Sequence, residues 1–128
     1  MSEVQPQVLE RSALKRDLGL WTGLLAGPIA WALHQQVMYS LVPRICAGLN
    51  RWVLHAVSLV CILMALAGTA VAWRLWQASG PTERGEFEGE LHSRIQFMAM
   101  LGVTGSLFFA MIVFAQAIPT FILDPCQD

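Results

Sequence analysis

His34, Gln35, Gln36 and Tyr39 stand inside a run, Leu18 to Val42, that contains no Asp, Glu, Lys or Arg. Polar side chains in so apolar a setting can hold a proton, a quinone or a haem. They can also do no more than hydrogen-bond one helix to the next, at about 0.6 kcal/mol per contact. His34 is the ionisable centre of the group, and Gln35 and Tyr39 are the neighbours that would help it bind a cofactor. The plainer reading, a hydrogen bond between helices, is the one we favour. Cys46, Cys61 and Cys126 are the cysteines. Soft sulfur suits Cu(I), and Cys46, Cys126, His55 and the methionines supply it, yet no Cys-x-Cys or Met-x-x-Met repeat organises them. No metal site is therefore assigned. A haem between His34 and His55 fails on depth. At 1.5 Å per residue, His34 falls roughly 13 Å below the outer end of its run, and His55 roughly 5 Å below the start of the next. No nucleophile–base pair, phosphate loop or zinc spacing is present, so the chain is expected to be non-enzymatic and to carry no cofactor.

The elements that must position these residues follow from hydropathy. Of 128 residues, 55% are hydrophobic and 13% charged; soluble chains carry about 25% charged. Mean hydropathy is +0.53. Eight bases nearly balance nine acids, which points away from nucleic acid. The pattern predicts an all-α integral membrane protein, a single domain over residues 1–128. Its three transmembrane helices lie at about 18–42, 52–76 and 95–118, joined by a polar loop over 77–94 that carries Glu83, Glu86, Glu88 and Glu90. Lys15 and Arg16 ahead of Ala30-Trp31-Ala32 have the look of a signal peptide, but the apolar run continues past them through Val42 and reads as a retained span. An amino terminus inside the cell keeps Arg11, Lys15, Arg16, Arg74, Arg84 and Arg94 in the cytoplasm and only Arg44 and Arg51 outside. The positive-inside rule thus predicts N-in, C-out. The expected location is the cell inner membrane, as a multi-pass protein.

Within the first run Gly19, Gly23 and Gly27 recur every fourth residue, and Gly102, Ser106 and Ala110 repeat that spacing in the third. Such bare faces let helix backbones approach closely, and any face left over would meet a larger membrane protein. Trp31, Gln35 and Tyr39 share one side of the first helix, and Gly27, Ala30 and His34 another, so His34 is expected to face whatever packs on the glycines. Pro28 should free the Leu24 carbonyl. Pro43 and Pro119 are expected to end the first and third helices. Ser93 with Gln96 fits a capping box at the start of the third, although Glu86 to His92 can extend it by two turns. With this topology Cys46 and Cys126 lie on the same outer side, where an oxidising compartment allows a disulfide that ties the tail across the bundle. Cys61 reads as a packing residue.

The segments GPIAWALHQQVMYSLVPRICA and AQAIPTFILDPC together resemble small three-span bacterial inner-membrane proteins associated with haem-copper cytochrome c oxidases. The likeness covers the first and third runs: a polar end to the first, an outer cysteine, and a closing Pro-Cys. It implies a non-catalytic accessory or assembly role beside a respiratory complex, with the lipid bilayer and possibly cytochrome oxidase as partners. In it, Cys46 and Cys126 match the two outer cysteines, and no catalytic residue is implied.

Overall fold

The computed structural model describes residues 4–79 and 86–126. Among these residues there are three α-helices and no strand: α1 (Val4–Cys46), α2 (Trp52–Ala78) and α3 (Glu86–Ile122), each packed on both others. Glu83, Arg84 and the Gly80-Pro81 pair of the acidic loop lie outside the described residues. Contacts set the directions. Gly19 meets Leu75, Gly23 meets Ala72, and His34 meets Ser58, so α1 and α2 run antiparallel. Gly27 meets Ser106 and Trp31 meets Phe109, so α1 and α3 run parallel.

α2 and the His92–Ile122 part of α3 are long and apolar enough to cross a membrane. α1, although 43 residues long, is not among the helices that meet that measure. The His34-Gln35-Gln36 cluster, Pro28 and the glycines lower its apolar character.

Two expected helix ends are corrected. α1 continues through Pro43 to Cys46, and α3 through Pro119 to Ile122. Proline lacks a donor, but its φ suits a helix and its carbonyl still accepts. Pro43 takes the Ala47 N–H at 3.2 Å and Pro119 the Leu123 N–H at 2.7 Å. α1 stops instead at Gly48, whose φ of +116° turns the chain. There the Gly48 and Leu49 N–H groups close on the Ile45 and Arg44 carbonyls, at 3.0 and 3.1 Å. The Asn50 side chain then accepts the Trp52 N–H at 3.1 Å and starts α2. α3 begins at Glu86, as the longer of the two expected starts has it, so Ser93 lies inside the helix and caps nothing.

The bundle is small inside and large outside. Ala30, Ala65, Ala72, Ala99, Ser106 and Val113 are buried. Trp21, Leu63, Phe97, Phe108, Met111 and Phe114 are exposed. Small interior side chains bring the helix axes close, which is what places polar groups of all three helices within reach of His34.

Candidate functional site

The glycine positions on α1 line its contact with both neighbours. A Cβ on Gly27 would come 2.7 Å from the Ser106 backbone, and one on Gly23 would come 2.9 Å from the Ala72 Cβ. Gly102 lies against the same pair: its Cβ would stand 3.2 Å from both the Ala72 Cβ and the Gly23 carbonyl carbon. Gly19 faces only the movable end of Leu75. Ser106 donates to the Gly23 carbonyl at 2.8 Å, the neighbour of the Leu24 carbonyl that Pro28 was expected to free. Gly23, Gly27, Gly102 and Ser106 are thus used up within the bundle. The expectation that bare faces remain for a partner does not hold for them.

One α-turn beyond Ala30, His34 is only 2% exposed. Its Nε2 lies 3.0 Å from the Ser58 Oγ, and Ser58 donates to the Leu54 carbonyl at 3.0 Å. A hydroxyl has one proton, so when Ser58 spends it on Leu54 the imidazole N–H is on Nε2 and Nδ1 carries the lone pair. From α3 the Gln116 side-chain amide adjoins the ring. His34 Nδ1 and Gln116 Oε1 are both buried without a hydrogen-bond partner. His34 is thus a node where all three helices meet.

Gln35 and Tyr39 do not join it. Both face outward, Tyr39 at 85% exposure, and Gln36 and Ser40 are exposed beside them. Gln35, Met38, Tyr39, Val42 and Pro43 line a shallow surface groove on α1. Of the candidate cofactor residues, His34 is thus inside the bundle and Gln35 and Tyr39 outside it, as a helix turning 100° per residue places them. Trp31, at the edge between the two sides, packs on Phe109 with ring centroids 5.8 Å apart.

At the end of the bundle where α1 and α3 finish, Cys46 and Cys126 form the expected disulfide, with Cα atoms 5.5 Å apart. Arg51 bonds Asp124 at 2.8 Å beside it. Phe121 stacks on His55 at 4.0 Å, and Trp52 meets the same imidazole edge-on at 5.7 Å. Together these contacts hold the tail over the α1–α2 turn. Cys61 is free and buried. Among the described residues no group of three His, Cys, Asp or Glu is placed to hold a metal ion.

Ser58, Gln116 and the Arg51–Asp124 pair were not singled out from sequence. Gln116 had a signal, being the one amide in the apolar stretch from Gly102 to Ile118. Ser58 had none beyond being a hydroxyl on the α2 face shared with Cys61 and Ala65. No family model matches the chain, and no curated protein or solved structure matches it.

Proposed function

We propose that this chain is a three-span inner-membrane protein, N-in and C-out, that serves as a non-catalytic subunit or assembly partner in a larger membrane complex. The resemblance of its first and third runs makes a respiratory oxidase the host to test first. One observation carries the reading: Gln35 and Gln36 point away from the bundle on a helix that has no Asp, Glu, Lys or Arg from Leu18 to Val42. Exposed to lipid, two amides cost free energy; covered by protein, they are satisfied. The bundle is thus incomplete until a neighbour covers α1. The large apolar side chains on the outside and the small ones within also suit a lipid surrounding. On the described basic residues, Arg11, Lys15, Arg16, Arg74 and Arg94 favour the cytoplasmic side over Arg44 and Arg51.

Native mass spectrometry after mild detergent extraction tests the proposal. The chain should leave the membrane bound to other integral proteins. Recovery as a water-soluble monomer, or as a lone chain in lipid, overturns it. The competing cofactor reading has to take His34 from Ser58 and Gln116, and a haem absorbance band or stoichiometric copper in the purified protein would favour it.

A further inference from the structure

We propose that the Cys46–Cys126 disulfide is a thiol–disulfide exchange site, opened by an external dithiol and reclosed on itself while the helices stay packed. The inference rests on contacts at that end of the bundle, and neither on the membrane reading nor on the host complex proposed above.

Access is the first ground. Both cysteines are exposed, and so are their surroundings: Arg44, Gly48 and Asn50 beside Cys46, Leu123 and Asp124 before Cys126. An attacking thiolate must line up behind one sulfur, and exposed disulfides are the exchangeable ones. Cys61, buried within α2 at 7% exposure, is the contrast.

Independence is the second. The contacts that close the bundle, Gly23 on Ala72, Gly27 on Ser106 and His34 on Ser58, use no residue of the tail. Breaking the bond therefore frees a short segment after α3 and leaves the interior shut.

Return is the third. Arg51 holds Asp124 at 2.8 Å, two residues before Cys126. Phe121, in the last turn of α3, stacks on His55 at 4.0 Å, and Cys46 Sγ lies 3.8 Å from the Pro125 carbonyl oxygen. A half-exposed ion pair is too weak to hold the tail down alone, so the opened tail lifts. The same contacts steer it back, bringing Cys126 to Cys46 ahead of any sulfur on another chain.

The chemistry balances with a dithiol as reductant. Its thiolate bonds to one of the two sulfurs, the S–S bond breaks, and the other cysteine leaves as a thiolate. The second thiol of the dithiol then displaces the first cysteine. Two electrons and two protons pass to the chain, which holds two thiols while the dithiol becomes a disulfide.

Dithiothreitol on the full chain in mild detergent, quenched with N-ethylmaleimide, tests this. The mass should rise by two labels, on Cys46 and Cys126, with Cys61 unlabelled and helical circular dichroism unchanged. Transfer to a glutathione redox buffer should restore the Cys46–Cys126 bond in monomers in preference to linked dimers. Arg51→Ala and His55→Ala together should lower the fraction reclosed in that buffer severalfold. A bond that yields only with Cys61 labelling and loss of helix is a fixture of the fold, and that result overturns the proposal. Reoxidation into interchain or glutathione-mixed disulfides overturns it too, as does a double variant that recloses like the parent. None of these outcomes bears on the host complex, which native mass spectrometry decides separately.

Discussion

Ser106 on α3 reaches across 2.8 Å to give its hydroxyl proton to the Gly23 carbonyl on α1. The approach is open because Gly23 and Gly27 present no side chain there. Its backbone acceptor already serves α1, so the bond adds to the helix and replaces nothing. Ser106→Ala should therefore lower unfolding stability in detergent by about 0.6 kcal/mol, the usual worth of such a bond between membrane helices. Ser106→Leu should prevent α1 and α3 from closing, read as loss of cooperative thermal unfolding.

Gly27 and Gly105 make a matched pair. A methyl at Gly27 meets Ser106 backbone at 2.7 Å, which cannot move aside as a side chain would, whereas a methyl at Gly105 meets nothing within 4 Å. Gly27→Ala should destabilise by about 1–3 kcal/mol through overpacking. Gly105→Ala should be neutral or stabilise by up to about 1 kcal/mol through helix propensity. Denaturant unfolding of the two variants side by side checks both signs.

The His34–Ser58 pair should be non-additive. Ser58→Ala leaves the imidazole N–H buried without its acceptor, at a cost of about 1–3 kcal/mol. Ser58→Ala with His34→Leu removes donor and acceptor together and should be less destabilising than the sum of the two single changes. A double-mutant cycle of unfolding free energies measures the coupling.

The clasp at the Cys46–Cys126 end of the bundle ranks its own parts. Non-reducing mass spectrometry should find the chain two hydrogen masses lighter than its thiol form. Cross-linking residues 80 apart is worth up to about 4 kcal/mol on chain entropy, less where helices already confine the ends. The Arg51–Asp124 pair, about half exposed on both sides, contributes about 0–1 kcal/mol. Cys126→Ser should thus release the tail to limited proteolysis far more than Arg51→Ala does.

Much of this arrangement is legible in the residues. Four-residue spacing identified Gly23, Gly27, Gly102 and Ser106, because close helix packing depends on size alone and size is written in each residue. The same rotation rule separated His34 from Gln35 and Tyr39. Naming all three as candidate cofactor residues followed their nearness in sequence instead, and the structure sets them on opposite sides of α1. Pro43 and Pro119 misled as stops because what ends a helix is where the next acceptors lie: Gly48 turns the chain after α1, and the clasp holds it after α3. Ser58 and Gln116 stayed hidden because their pairing with His34 depends on the relative height of three helices. Single-helix periodicity carries no information about that height. Counting depth from the presumed helix ends was unsafe for the same reason, since α1 runs past Pro43.

The small interior has a consequence for how this chain can vary. Ala30, Ala65, Ala72 and Ala99 cannot be enlarged without pushing helices apart, while Leu63, Phe97, Met111 and Phe114 can exchange among apolar types freely. Drift should accumulate on the bulky residues and spare the tiny ones, the reverse of a water-soluble globule. A saturation library scored for accumulation of the folded chain would draw that inverted map, with alanine and glycine as its least replaceable letters.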